Sequence, residues 1–265
     1  MAGSNVAQLC FDKVVTNDYH SLSFGCRNFE EVLIEIDEQV SGASAVAENL
    51  YISIFAGTKS IVNRVKASYL ASICQYEAGT GDTSTANQVV FAVDTGTWYL
   101  EKGDELIVKL DGSGITATHT MKVTVHAVVN GCTAPSPKRF MLRNDNAFLS
   151  EGCSQLYAFG TALDEVNEPI ELTMGSETIS QAITGLNAKT NSDSVGDAFI
   201  SNMALVYDGL PRDMQVNYGG STSLEFLTLA DVQVSSQDLA NSFRHIQGRL
   251  SQITPKEQKY LANRD

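Results

Sequence analysis

The most chemically suggestive string in the sequence is Asp94-Thr95-Gly96, which ends an apolar run that begins at Val89. Aspartic proteases carry this tripeptide, and their chemistry needs two neighbouring carboxylates that share one proton. The later part of the sequence offers Asp208-Gly209 without the intervening threonine. Because a strand that ends in Asp-Thr-Gly is also ordinary turn chemistry, the sequence favours a turn over a catalytic loop.

The histidines do not form a metal-binding pattern. His119 and His126 are seven residues apart in a strand region, so they should point to opposite faces of the strand. We expect all four histidines, His20, His119, His126 and His245, to be surface or hydrogen-bonded core residues.

Two loops resemble ligand sites only in part. Asn191, Asp193 and Asp197 hint at calcium, but Val195 stands where a helical calcium loop needs an oxygen ligand. The glycine-rich stretch 79–82 lacks the lysine of a phosphate-binding loop. The pair Trp98-Tyr99 could form a sugar platform, although such a pair more often packs in a hairpin or an interface. We therefore expect no catalytic residue, no metal ligand and no cofactor, and a protein that is not an enzyme.

Alternating apolar residues predict the elements that would position these side chains. Strands are expected at 32–36, 50–55, 88–93, 105–110 and 120–129, and most are bounded by Gly, Asp, Asn or Thr clusters. The segment 133–137 contains two of the five prolines, which favour an extended linker. The sequence thus predicts an all-β protein with a first domain at 1–133, a second at 138–234, and a C-terminal helix and tail at 235–265.

Three landmarks recur along the chain and indicate an internal duplication. Gly57 and Gly175 follow similar strands at an offset of 118, and the runs that begin at Leu106 and Leu224 have the same offset. Val89–Asp94 matches Met203–Asp208 at an offset of 114. Each glycine turn is followed by apolar residues at helical spacing, which predicts a helix there: Val62, Val65, Tyr69, Leu70 and Ile73 in the first copy, and Ile179, Ala182, Ile183 and Leu186 in the second.

The C-terminal end differs from the rest of the chain. Ser235 and Asp238 can cap a helix whose apolar residues, Leu239, Phe243, Ile246, Leu250 and Ile253, form one narrow stripe before Pro255. From Arg244 onward the local charge is +3, so the preceding part carries −16. The helix either covers an edge or end of the second domain, or it contacts a partner subunit or an anionic surface.

Composition narrows the function classes. The 265 residues are 43% hydrophobic and 18% charged, which suits a folded chain with a proper core. A net charge of −13 would repel nucleic-acid phosphates, so direct nucleic-acid binding is not expected. We predict a protein that is not secreted, because no secretory signal is evident, and five reduced cysteines, because they are odd in number and lack a C-x-x-C pair.

The order of these features resembles that of double jelly-roll major capsid proteins of icosahedral membrane-containing viruses, such as corticoviruses and tectiviruses. The resemblance rests on Tyr51–Gly57, a helix, Val89–Val93 and Leu106–Leu110, with a second copy between Ile170 and Leu229, and covers residues 9 to 232. It implies two tandem jelly-roll β-barrels, each with eight strands, and homotrimers that form pseudo-hexagonal capsomers.

The resemblance also implies partners and a location. The partners would be neighbouring capsomers, other capsid proteins such as penton or spike proteins, and an internal viral membrane or membrane protein, which we expect at the basic segment 244–264. The protein would be assembled in the host cytoplasm and located in the virion. The alternative is a β-sandwich binding module, such as a carbohydrate-binding adhesin or a phage tail or fibre subunit.

Overall fold

The computed structural model describes residues 11–15, 19–38, 49–78, 88–115, 121–128, 134–143, 145, 147–149, 153–159, 169–174, 177–182, 188–189, 203–208, 215–219 and 225–250. The structural statements below concern these residues. The candidate loops at 79–82 and 191–197, together with His119, Cys10, Cys132 and Pro255, lie outside them.

Seventeen strands and two helices make up this part of the chain. The first half contains β1 (Phe11–Val15), β2 (Tyr19–Phe24), β3 (Asn28–Glu38), β4 (Tyr51–Ala56), β5 (Lys59–Lys66), helix α1 (Ala67–Ala78), β6 (Gln88–Tyr99), β7 (Leu106–Asp111) and β8 (Met121–Val128). The second half contains β9 (Lys138–Arg143), β10 (Ala147–Leu149), β11 (Cys153–Phe159), β12 (Pro169–Met174), β13 (Glu177–Ala182), β14 (Ala188–Lys189), β15 (Met203–Asp208), β16 (Gln215–Tyr218), β17 (Glu225–Asp231) and helix α2 (Ser236–Leu250).

The two halves repeat one strand order. The first half forms the antiparallel sheets β1-β8-β3-β6 and β2-β7-β4-β5. The second half forms β9-β17-β11-β15, with β14 added beside β15, and β10-β16-β12-β13. The predicted all-β class is confirmed, and each half contains two sheets whose equivalent strands follow the same order, as expected for a jelly roll. The described strands pair only within their own half, while the domain limits at 133 and 138 stay a prediction.

Alternation of apolar side chains builds the first core. In β3, Val32, Ile34 and Ile36 are buried while the residues between them are half-buried, and in β4, Ile52 and Ile54 are buried in the same way. These side chains from the two sheets join one hydrophobic cluster. The strands predicted from this alternation are confirmed at β3, β4, β6, β7 and β8.

One landmark of the duplication was mispaired. The glycine-turn offset holds, because β4 and β12 occupy equivalent places in their sheets, and so do β6 and β15. However, the equivalent of β7 is β16, whereas the run that begins at Leu224 belongs to β17, the equivalent of β8. Both strands are short apolar runs, and spacing alone does not distinguish two neighbouring strands of a repeat.

The helix predicted directly after the first glycine turn was wrong over its first residues. Val62 and Val65 lie in β5, and α1 begins only at Ala67. The pairing of β4 with β5 shifts register twice, so β5 carries extra residues opposite β4. Arg64, with φ of 51°, lies in this irregular stretch, and its N–H donates to Ser53 Oγ at 2.9 Å. A bulge turns Val62 and Val65, three residues apart, to the same buried face and so imitates helical spacing.

The repeat of that helix was also wrong at its start. Ile179 and Ala182 lie in strand β13, which pairs with β12. Ile183 and Leu186 lie outside the described residues.

Candidate functional site: the joint between the two halves

The short linker between the halves is hydrogen-bonded to the end of β6. The Ser136 N–H donates to the Thr97 carbonyl oxygen at 3.1 Å, and the Thr97 N–H donates to Ser136 Oγ at 3.4 Å. On its other side, the Val232 N–H donates to the Pro137 carbonyl oxygen at 2.8 Å. The linker is thus fixed between β6 of the first half and the end of β17 in the second.

The Asp-Thr-Gly string is part of this attachment. Asp94 Oδ1 accepts the Gly96 N–H at 2.8 Å, and Thr95 Oγ1 donates to the Glu30 carbonyl oxygen at 2.8 Å. Gly96 has a φ of 61°, and a Cβ there would lie 1.9 Å from the carbonyl oxygen of Ser136. Asp94 Oδ2 also binds the Lys138 ammonium of β9. The string lies within β6, which continues to Tyr99, so the predicted turn at the end of a strand was wrong. Gly96 is instead an irregular point inside the strand that the linker packs against.

The second carboxylate near Asp94 belongs to Glu31, not to Asp208. Glu31 is opposite Asp94 in the β3–β6 register, whereas Asp208 lies in β15 of the other half. Burial, then repulsion from Asp94 and Glu30, raises the pKa of Glu31 above its ordinary value. Lys138 supplies a cation to the same cluster, so these groups form a charged contact across the joint.

Helix α1 supplies the aromatic contact of the joint. The Tyr69 ring stacks on the Phe159 ring of β11, with centroids 3.9 Å apart and an interplanar angle of 11°. The Tyr69 hydroxyl donates to Glu225 Oε2 at the start of β17, and Lys66 Nζ lies 3.1 Å from the same oxygen. A stacked pair and a charge-assisted network thus connect the first turn of α1 to the neighbouring ends of β11 and β17.

The second half presents an apolar sheet face to this joint. Phe140, Tyr157, Leu227 and Leu229 are buried in the same hydrophobic cluster as the core of the first half. Strand β9 lies beside β5 and β6, which are edge strands of the two sheets of the first half. The joint therefore covers two strand edges that would otherwise present unpaired backbone groups.

Strand β17 is buried on both of its faces. Leu227 and Leu229 belong to the cluster shared with the first half, whereas Phe226 contacts Phe148 of β10 and Tyr218 of β16, with ring centroids 5.4 and 6.3 Å away. One face of the β9–β17–β11 sheet thus closes the core of the second half, and the other closes the joint.

Helix α2 begins with the predicted cap. The Ser235 N–H donates to Asp238 Oδ2 at 3.0 Å, and the Asp238 N–H donates to Ser235 Oγ at 3.1 Å. Burial raises the pKa of Asp238, but hydrogen bonds from Ser235 and the neighbouring Lys59 ammonium together bring it below the ordinary value.

The position of α2 differs from the expectation that it covers the second domain. Lys59 Nζ of β5 lies 3.2 Å from Asp238 Oδ1, and α2 also approaches β6, so both contacts are with the first half. The reason is the Val232–Pro137 hydrogen bond, which ends the second half directly beside the linker and β6. On the side that faces the first half, α2 carries Asp238 and the buried Ser242, whereas Leu239 and Phe243 are 44% and 64% exposed.

On the outer face of the β2-β7-β4-β5 sheet, basic side chains of the sheet itself lie over its aromatic rings. The Arg64 guanidinium lies 4.1 Å from the centroid of the Tyr51 ring, and Lys109 Nζ lies 4.8 Å from that of Phe55. Arg64 Nε is also 3.2 Å from Asp111 Oδ2. Burial raises the pKa of Asp111, but hydrogen bonds from Ser113 and the Arg64 charge outweigh it and lower the pKa.

The structure also places the remaining candidate residues that it describes. His20 is buried on β2, His126 is half-buried on β8, and Trp98 and Tyr99 are both buried at the end of β6. Cys26 is a free, buried cysteine, and burial raises the pKa of its thiol to about 11. Across the described ranges, no three His, Cys, Asp or Glu side chains cluster as a metal site needs. None of the described helices is long and apolar enough to span a membrane.

Comparison with solved structures identifies the fold. The STIV MCP, a major capsid protein, aligns with a TM-score of 0.54 at 8% sequence identity, over 87% of this chain and 98% of that one. The chain has the fold of the STIV MCP. The major capsid protein P2 from bacteriophage PM2 aligns with a TM-score of 0.48 at 10% identity, over 85% of this chain and 98% of P2.

A third viral structure, the PBCV-1 virus capsid, aligns with a TM-score of 0.44 at 7% identity, over 87% of this chain and 95% of that one. No family model matches the sequence, and no curated protein matches it.

The contacts between the halves were not anticipated from the sequence. Phe159 and Glu225 are far from Tyr69 and Lys66 in the chain, and nothing in their spacing indicates contact. A usable signal is present in β17, where Phe226–Ala230 lacks the polar alternation of a strand with one exposed face. That continuous burial indicates a strand covered on both sides.

Proposed function

We propose that this protein is a viral major capsid protein, which assembles as homotrimeric, pseudo-hexagonal capsomers into an icosahedral shell. The observation that carries the proposal is the duplicated strand order, joined by a packed interface, which aligns with nearly the whole STIV MCP. On this basis the role is structural rather than enzymatic, and the protein is located in the virion after assembly in the host cytoplasm.

The joint suits a protein whose work is done by its surfaces. The linker hydrogen bonds, the Lys138–Asp94 pair and the Tyr69–Phe159 stack hold the two halves together, so they behave as one unit. Contacts repeated around a shell supply avidity even where each contact is weak. Because the chain carries a net charge of −13, we expect these contacts to depend on salt.

Light scattering and negative-stain electron microscopy of the purified full-length protein test this proposal. We expect a trimer of about 86 kDa, three times the 28.6 kDa chain, that forms hexagonally packed sheets or shells. A monomer that never assembles and is retained on a glycan column would contradict it and favour the binding-module alternative.

The same proposal gives the C-terminal segment a partner. Leu239, Phe243 and Arg244 are exposed on α2, and an apolar face beside cations is the composition of a helix that lies at a lipid interface. We propose that segment 244–264 faces an anionic internal membrane, or a protein within it. Other partners are neighbouring capsomers and penton or spike proteins, without direct contact to nucleic acid.

Flotation of assembled protein with vesicles that contain anionic lipid tests this contact. Each basic residue near such a surface contributes about 1 kcal/mol, so Arg244→Glu should reduce the bound fraction several-fold. Arg27→Glu makes the same charge change at an exposed arginine of the first half and should have no effect. Equal reduction by both variants would indicate a general charge effect and contradict the proposal, as would unchanged binding by Arg244→Glu.

A further inference from the structure

The outer face of the β2-β7-β4-β5 sheet combines aromatic rings with charged groups. Along β2, β4 and β7, every second side chain points to this face and is half-buried or exposed. We call the following residues the cation–aromatic face: Tyr19, Tyr51, Phe55, Arg64, Lys109 and Asp111. None of the joint contacts described above involves them, so this face has no role in holding the two halves together.

The strand register brings the members of the cation–aromatic face together. Asp111 of β7 is opposite Tyr19 on one side and opposite Tyr51 on the other. Because neighbouring strands lie about 4.8 Å apart, the backbones of the two tyrosines are about 10 Å apart. Phe55 lies four residues beyond Tyr51 on β4, which is about 13 Å along the strand. The face therefore has room for a ligand of several connected groups and not only for a single ion.

The two cations of this face are held in place by rings. The Arg64 guanidinium lies 4.1 Å from the centroid of the Tyr51 ring, and Lys109 Nζ lies 4.8 Å from that of Phe55. Arg64 is the one non-glycine residue with a positive φ among those that the structure describes, and such backbone strain occurs preferentially at functional sites. Its side chain is still 57% exposed, so the guanidinium is positioned but accessible to a ligand.

The charge of this face is opposite in sign to that of the chain. Arg64, Lys109 and Asp111 together carry +1, whereas the whole chain carries −13. An anionic group is thus attracted to this face and repelled by most of the remaining surface. A dense polyanion would meet that repulsion along its whole length, so the charge distribution favours a ligand whose negative charges are few and separated by neutral groups.

Tyr19 adds an open aromatic surface beside the two cations. It lies on the edge strand β2 and is 56% exposed. A sugar ring has an apolar C–H face that stacks on an aromatic ring, and hydroxyl groups that bond to carboxylates. Tyr19 and Asp111, which are neighbours in the register, supply one group of each kind.

We propose that the cation–aromatic face binds an acidic glycan whose carboxylates alternate with neutral sugar units. Arg64 and Lys109 bind the carboxylates through charge-assisted hydrogen bonds, while Tyr19 stacks on a neutral sugar ring. This site is additional to the proposed function and does not depend on it, because an assembled coat and an isolated subunit both carry the face.

Biolayer interferometry on immobilised hyaluronan tests the proposal, because this polymer has a carboxylate on every second sugar. The ligand controls are carboxyl-reduced hyaluronan, which is neutral, and polyphosphate, which is anionic but contains no sugar. We expect the full-length protein to bind hyaluronan about tenfold more tightly than either control. Equal binding to the neutral polymer, or equal or tighter binding to polyphosphate, would overturn the proposal.

Protein variants locate the site. Lys109→Gln removes a cation and Tyr19→Ser removes the exposed ring, and each should weaken binding about fivefold. Lys102→Gln makes the same charge change at an exposed lysine between β6 and β7, and this matched control should bind as the wild type does. Circular dichroism and light scattering should show that all three variants fold and associate like the wild type.

Three results would overturn the inference: no binding of the wild type to hyaluronan, unchanged binding by Lys109→Gln and Tyr19→Ser, or equal weakening by Lys102→Gln. The assembly of the wild-type protein is measured separately, so a trimer that forms shells but does not bind hyaluronan overturns this inference alone.

Discussion

The equivalent sheets β1-β8-β3-β6 and β9-β17-β11-β15 differ in how far their outer faces are buried. In β8, buried Val123, Val125 and Ala127 alternate with half-buried Thr124 and His126, so that strand is covered on one side. In its counterpart β17, every residue from Phe226 to Ala230 is buried. The same strand order thus carries an open face in one half and a covered face in the other.

This difference shows how a duplicated fold becomes asymmetric without a change of topology. Phe140, Tyr157, Leu227 and Leu229 give the second half an apolar outer face, which is buried in the same cluster as the core of the first half. Burying large aliphatic side chains contributes about 1.5–3 kcal/mol each, so a few such residues stabilise the joint considerably. The equivalent outer face of the first half instead carries half-buried residues that can contact water.

The largest effect should come from truncating matched leucines on the two faces. Leu227 is fully buried in the joint, so Leu227→Ala should lower the free energy of unfolding by about 3 kcal/mol through lost burial and a residual cavity. Leu33 is only half-buried on the open face, and Leu33→Ala should cost about 1 kcal/mol. Urea unfolding followed by fluorescence of the single, buried Trp98 measures both.

If Leu227→Ala and Leu33→Ala lower the free energy of unfolding equally, the distinction between an internal and an open face is contradicted. Urea unfolding measured at low protein concentration excludes a contribution from assembly, because association depends on protein concentration and the internal joint does not.

The next effect concerns Gly96, the residue of β6 that the linker approaches most closely. Gly96→Ala should destabilise the protein by about 2–3 kcal/mol, because the new Cβ would combine a left-handed φ with a clash against the Ser136 carbonyl oxygen. Gly103 also has a positive φ, 100°, but nothing lies within 4 Å of a Cβ there. Gly103→Ala should therefore cost only the backbone strain, about 1–2 kcal/mol. A Gly96→Ala protein as stable as Gly103→Ala would contradict the close approach of the linker.

A smaller effect is expected from the hydroxyl in the joint. Tyr69→Phe keeps the stack on Phe159 but removes the hydrogen bond to Glu225, which should cost about 1–2 kcal/mol. Tyr51→Phe, on the cation-covered outer face of β4, should change stability by less than about 0.5 kcal/mol. Thermal unfolding of the two variants in parallel checks the difference, and identical midpoints would contradict a stabilising role for the Tyr69–Glu225 contact.

The smallest effect should be the pH dependence of α2. The pKa of Asp238 is lowered in the folded protein, so its contribution is present above the ordinary carboxyl pKa of about 4 and is lost as the pH falls through the lower, folded value. Hydrogen exchange of α2 should therefore accelerate toward about pH 3, after correction for the intrinsic pH dependence of exchange.

Asp238→Asn should weaken this acid response and cost at most about 1 kcal/mol, because asparagine can still cap the helix but loses the Lys59 ion pair. Asp231→Asn, at the exposed last residue of β17, provides the matched control and should leave the acid response of α2 intact. If Asp238→Asn leaves the acid response of α2 unchanged, that response comes from another group and the prediction is contradicted.

The fold was largely predictable because it rests on local patterns. Alternation in β3, β4 and β7 reflects burial of one strand face, and the Ser235–Asp238 cap depends on residues three apart. The predicted helix began too early where the β5 bulge altered the alternation, and β17 was mispaired because a strand's place in a sheet is set by distant partners.

The joint was much less predictable. The Asp-Thr-Gly string lies inside β6 rather than in the predicted turn. Its partner Ser136 was not foreseen, and neither was the Glu31 carboxylate beside Asp94. Contacts between the halves join residues that are 44 positions apart for Asp94 and Lys138 and 159 positions apart for Lys66 and Glu225. These residue types are common on any surface.

The hydrogen-bonded linker has a mechanical consequence for the proposed shell. Because Ser136 and Pro137 are bonded on both sides, the angle between the two lobes of a subunit is set when the chain folds. A closed container that needs curvature must then bend where one subunit meets the next, so differences in tilt among its facets are accommodated at those boundaries.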